Sequence, residues 1–151
     1  MTPERKRLIK NWTACALWLG LIAVESTDYL SAANTSRILY PIFHFFTGVD
    51  PVRFVLWDYY IRKVGHFCGY FGLSFLLFGA WRATLQKPDG RIWSARWAAI
   101  AFFLTAFVAS LDEWHQLYLI SRTGSLHDVL LDSSGALIAQ ILIFAYLRGF
   151  A

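Results

Sequence analysis

Ser110 to Gly135 reads S-L-D-E-W-H-Q-L-Y-L-I-S-R-T-G-S-L-H-D-V-L-L-D-S-S-G. It gathers Asp112, Glu113, His115, Gln116, Arg122, His127, Asp128 and Asp132 between two apolar runs long enough to belong in a bilayer. An ionisable side chain below a membrane surface costs roughly 2.5–3.5 kcal/mol at a helix centre unless it is paired or hydrated. A cluster of them in such a place is therefore a functional-site candidate by default.

The rest of the chain agrees with a membrane setting. Of its 151 residues 57% are hydrophobic and only 16% charged, too apolar for a soluble domain of this length. The length suits one domain, 1–151. The net charge of +4 does not form a nucleic-acid-binding patch, because the basic residues punctuate the ends of apolar runs, where they set topology. Cys15 and Cys68 lie inside separate apolar runs and read as packing thiols rather than a disulfide.

The expected fold is all-α: an integral membrane bundle of four transmembrane helices, with an interfacial aromatic segment between the first and second. Behind a basic leader (Arg5, Lys6, Arg7, Lys10), a first span is expected over Asn11 to Tyr29. A leader and apolar run also describe a signal peptide, with Ser31-Ala32-Ala33 as small residues for cleavage, but Glu25 and Asp28 interrupt the approach to them. Residues 31–37 read as a polar loop. Ile38 to Phe46 is too short to cross and belongs in the interface. Gly48 can end that segment, and Asp50-Pro51 is a helix start, an N-cap acceptor followed by a residue of fixed φ. From Pro51 a helix can run to Leu85, either continuous or hinged near Gly65. Arg82 to Arg96 is a basic loop with the turn signal Lys87-Pro88-Asp89-Gly90. The third span runs from Trp97 to about Leu119, a loop covers Ser121 to Ser125, and the fourth span is His127 to Leu147. Counting basic residues puts nine on the side of the N-terminus (Arg5, Lys6, Arg7, Lys10, Arg82, Lys87, Arg91, Arg96, Arg148). Five fall on the other side (Arg37, Arg53, Arg62, Lys63, Arg122). Both termini are then cytoplasmic.

Residues three, four or seven apart share a helix face. Lys63, His66 and Tyr70 align on the second span, Asp112, His115 and Gln116 on the third, and Asp128, Asp132 and Gly135 on the fourth. Glu113 is turned about 100° from its neighbour. Three stripes lie at similar depth with Arg122 in the loop beside them, and the simplest arrangement turns them toward a shared cavity open to the outer face. Taken singly, Lys63 and Arg122 read equally well as snorkelling anchors, His66 as a packing histidine, and Glu113 as an orienting partner for Arg122 or Lys63.

K-V-G-H-F-x-x-Y-F-G-L at Lys63 to Leu73, S-L-D-E-W-H-Q at Ser110 to Gln116 and R-x-x-S-x-x-D-V-L-L-D-x-x-G-A at Arg122 to Ala136 together resemble the VanZ-like family of small bacterial membrane proteins. The family pattern carries over onto Lys63, His66, Tyr70, Asp112, Glu113, His115, Gln116, Arg122, Asp128 and Asp132. Position 132 is often asparagine in the family, so this chain carries an extra negative charge there, and its aromatic Ile38–Tyr60 link is longer. The resemblance implies a plasma (inner) membrane location and a connection to low-level teicoplanin resistance, but no particular reaction.

Three readings follow. In the first, the protein is an enzyme acting on an anionic lipid or lipid-linked envelope molecule. Asp112 or Glu113 serves as general base and His115 or His66 as acid, with Lys63 and Arg122 holding a phosphate; Tyr70, Gln116, Asp128 and Asp132 complete substrate binding. In the second it binds a lipid or a glycopeptide without chemistry. In the third it is a structural or partner subunit with a buried polar network. The residues do not decide whether a reaction is catalysed. No metal site is assigned and no cofactor is identifiable, although His66, His115 and Asp112 would make a nitrogen and oxygen ligand set. Membrane lipids or a lipid-linked precursor are the expected partners, without nucleic acid, and oligomerisation is left open.

Overall fold

A computed structural model describes residues 1–85, 92–120 and 122–149. They form five helices: α1 (Pro3–Glu25), α2 (Ala32–Thr47), α3 (Pro51–Leu85), α4 (Ala95–Gln116) and α5 (Leu126–Gly149). All except α2 are long and apolar enough to cross a membrane. Only 11% to 33% of their most apolar windows is buried inside the protein, so most of the hydrophobic surface points outward, as a bilayer requires. The expected turn at Lys87–Gly90 lies outside the described residues.

The helix bounds depart from the sequence reading for local reasons. Pro3 opens α1 at a position where a missing N–H is harmless, and the Thr2 hydroxyl accepts from Arg5 N–H. The basic leader is thus the first turns of the helix rather than a segment before it. The span ends at Glu25 instead of Tyr29, and a single 3-10 turn, Asp28–Leu30, follows. Residues 32–37 are helical rather than loop. Their polar side chains fold back on nearby carbonyls: Thr35 Oγ1 donates to Ser31 O at 3.0 Å and Ser36 Oγ to Ala32 O at 2.6 Å.

Gly48 ends α2 at φ 66°, where a side chain would be strained. Asp50 Oδ1 then accepts from Val52 and Arg53 N–H, both at 3.0 Å, and starts α3. This double cap holds the Asp50 carboxyl below its ordinary pKa. At about 1.5 Å per residue, α2 is shorter than the roughly 30 Å hydrocarbon core. It lies against the first turns of α3 through Tyr40, Phe43, Phe54 and Trp57. The alternative of a hinge near Gly65 does not arise, because α3 is one helix of 35 residues. That length, about 50 Å, carries its first turns beyond the hydrocarbon.

α3 is the centre of the bundle and touches every other helix. α1 runs antiparallel to it. Trp18 Nε1 donates to Gly69 O at 2.8 Å, and Trp12 Nε1 donates to Thr84 Oγ1 at 3.0 Å. α5 runs parallel to α3, and α4 returns between them. Gly135 permits the close approach of α3 and α5: a Cβ there would lie 2.6 Å from the Phe67 carbonyl oxygen. About two turns farther along α3, Ser74 Oγ donates to Ala136 O at 3.1 Å, and Gln140 Nε2 donates to Ser74 Oγ at 2.8 Å. Cys15 and Cys68 are free thiols, Cys15 buried and Cys68 exposed.

Candidate functional site

The ladder of side chains on α3 sets the site's axis. Asp58, Arg62, His66 and Tyr70 follow one another at intervals of four, so they climb a single face over about 18 Å. Arg62 and Lys63 stand at the mouth of a cavity of about 290 Å³, which Asp58, itself buried, and His66, Glu113, Gln116, Arg122, Thr123 and Asp128 also line.

Deeper in, Tyr70 is buried and donates to Asp112 Oδ2 at 2.8 Å, while Gln116 Nε2 donates to the same oxygen at 3.3 Å. His66 Nδ1 faces Asp132 Oδ2 at 3.5 Å, with Asp132 fully buried. Lys63 Nζ is paired with Asp128 Oδ1 and lies 5.3 Å from the Tyr59 ring centroid. Glu113 comes in from α4. Its Oε2 accepts from Ser125 N–H at 2.8 Å, so the carboxylate sits at the start of α5, where free N–H groups favour negative charge. The connection before α5 presses close here: a Cβ on Gly124 would lie 2.3 Å from Glu113 O.

Arg122 joins segments far apart in the sequence. Its Nη2 reaches the carbonyl oxygens of Glu25, Thr27 at 3.1 Å and Leu30 at 2.9 Å. Arg62 Nη1 meets Leu30 O at 2.8 Å. Carbonyls occupy N–H groups but carry no net charge, and neither guanidinium forms an ion pair among the described residues. Burial lowers the pKa of Arg122, and neighbouring Arg62 adds to the effect, while the carboxylates of Asp112, Glu25 and Asp28 oppose it; a guanidinium stays cationic at neutral pH. The two guanidiniums are thus held by carbonyls rather than by salt bridges, with the carboxylates of Asp112, Glu25 and Asp28 acting on Arg122 from farther off and Asp58 lining the same cavity.

The structure brings together Lys63, His66, Tyr70, Asp112, Glu113, Gln116, Arg122, Asp128 and Asp132. His115 is the exception. It is exposed, with Nδ1 3.3 Å from Ser26 Oγ at the end of α1. The face of α4 expected to carry Asp112, His115 and Gln116 is rotated: Glu113 and Gln116 are its buried cavity residues. The ligand set His66, His115 and Asp112 is accordingly not assembled. Among the described residues, His66, Glu113 and Asp132 are the ones whose ligand atoms converge, all within 4.8 Å of one another. Glu113 does not orient Arg122 or Lys63; it holds Ser125. Sequence reasoning missed Asp58 and Arg62, although the four-residue step leads back to both from His66 and Tyr70.

The fold and its ionisable cavity define a small helical membrane protein whose polar residues converge from three spans. The VanZ/LLP1 family model matches residues 11–148, and the chain belongs to the VanZ-like family. Comparison with curated proteins and with solved structures yields no significant match.

Proposed function

We propose that this VanZ-like protein binds the anionic head group of a lipid or lipid-linked cell-envelope molecule, in a cavity facing the extracytoplasmic side of the bacterial inner membrane. The observation that carries the reading is the pair of guanidiniums, Arg62 and Arg122, at the cavity mouth, held in place by backbone carbonyls and not closed into salt bridges among the described residues. A guanidinium already held in place loses little freedom on meeting a phosphate, and planar N–H donors suit such an anion. The volume, about 290 Å³, suits a phosphate-bearing head group rather than a whole glycopeptide. The outward orientation rests on the excess of basic residues on the N-terminal side. Any proton transfer to a bound head group falls to His66 and Glu113, since His115 is exposed outside the cavity beside Ser26 and Asp112 is engaged by Tyr70 and Gln116.

The test is binding of the purified protein to nanodiscs containing phosphatidylglycerol or phosphatidylcholine. Preference for the anionic lipid is expected to fall about tenfold or more in Arg62→Gln, as for loss of a charge-assisted hydrogen bond. Gln keeps a donor for Leu30 O. Equal binding to both lipids, or no effect of the substitution in folded protein, overturns the reading. Teicoplanin resistance is its physiological extension: cells expressing the intact protein are expected to tolerate more teicoplanin than cells expressing Arg62→Gln at the same level.

A further inference from the structure

Below the cationic mouth the balance of charge reverses. Lys63 is committed to Asp128, and the arginines to backbone carbonyls of the α1–α2 connection. The deeper His66, Glu113 and Asp132 come from three different helices, and their ligand atoms all lie within 4.8 Å of one another. Asp132 is 0% exposed and Glu113 4% exposed. Both oxygens of Asp132, and Oε1 of Glu113, are buried without a hydrogen-bond partner. Protonated His66 would bring one positive charge to two carboxylates, and it meets Asp132 only at 3.5 Å, beyond an ordinary N–H···O hydrogen bond of about 2.7–3.2 Å. Buried carboxylate oxygens without partners are rare because each forfeits its hydration for nothing.

We propose that His66, Glu113 and Asp132 bind one divalent metal ion, Zn²⁺ or Mn²⁺, at the floor of the cavity. One imidazole nitrogen with two carboxylate oxygens is a donor set for these ions rather than for a soft metal. Ligand bonds of about 2.0–2.2 Å span donors up to about 4.4 Å apart, so small side-chain rotations close the site. Two carboxylates and neutral His66 around a divalent ion leave no net charge. Glu113 and His66 both line the cavity, so the ion's remaining positions open toward the space beneath Arg62 and Arg122. Metal binding by these three residues does not depend on what the mouth of the cavity recognises.

The purified full chain in detergent, stripped with EDTA and dialysed, is titrated with Zn²⁺ and with Mn²⁺ in the absence of added lipid. One ion per chain is expected. His66→Ala and Asp132→Asn are each expected to weaken binding at least tenfold, and His127→Ala to leave it unchanged. Should a variant fail to fold, pulsed electron paramagnetic resonance of the Mn²⁺-loaded intact protein decides, with coupling to one imidazole nitrogen expected. No stoichiometric uptake, uptake undiminished in both folded variants, or no imidazole coupling overturns the site. Preference for anionic lipid that persists in EDTA, alongside failed metal uptake, would sink the metal site and leave the head-group reading intact.

Discussion

Lys63 and Asp128 show how a single pair is balanced in this site. Their side chains are 27% and 17% exposed, between the surface pairs that contribute up to about 1 kcal/mol and the buried ones whose rupture costs about 3–5 kcal/mol. Lys63→Met or Asp128→Leu alone leaves the other charge without its partner. Each is expected to lower the unfolding temperature in detergent, while the double variant loses clearly less than the sum. Additive losses would mean that the pair is not coupled. The same reasoning explains which residues the sequence disclosed. His66 and Tyr70 on α3, and Asp128 and Asp132 on α5, lie at helical spacing within one short segment, so their common face is local information. On α4, Asp112, Glu113, His115 and Gln116 put polar groups on two faces. Only the packing of α4 against α3 and α5 decides that Glu113 turns inward, and no spacing within α4 contains that.

At the scale of elements, the site depends on how closely α3 and α5 lie side by side. Gly135 sits against the Phe67 carbonyl, and backbone cannot move aside as a flexible side chain can. Gly135→Ala is expected to destabilise the protein by about 1–3 kcal/mol, as overpacking does, and to weaken binding at the cavity by spreading His66 from Asp132. Gly79→Ala, where an added Cβ meets nothing within 4 Å, is the matched control and is expected to retain full stability. Thermal unfolding of the two variants checks this, and equal stability would contradict the close-packing account. The four spans were legible because each is an apolar run of sufficient length. The start of α3 was legible because Asp50-Pro51 caps it. Less legible were the ends: the hydrogen bonds that make residues 32–37 helical are made by polar side chains which, as composition, read as loop.

Across the whole molecule, Arg122 draws the end of α1, the turn after it and the approach to α5 around one cavity, joining segments far apart in sequence. Contacts of that kind leave no periodic trace, which is why Glu25 and Arg62 were not placed beside Arg122 from the sequence. The account as a whole depends on this assembled cavity facing outward. Thr123 is exposed and lines it, one residue from Arg122. In a variant with Cys15 and Cys68 replaced by alanine, Thr123→Cys is expected to react with a membrane-impermeant maleimide in intact cells. Labelling only after the inner membrane is permeabilised would put the cavity on the cytoplasmic side and contradict the account.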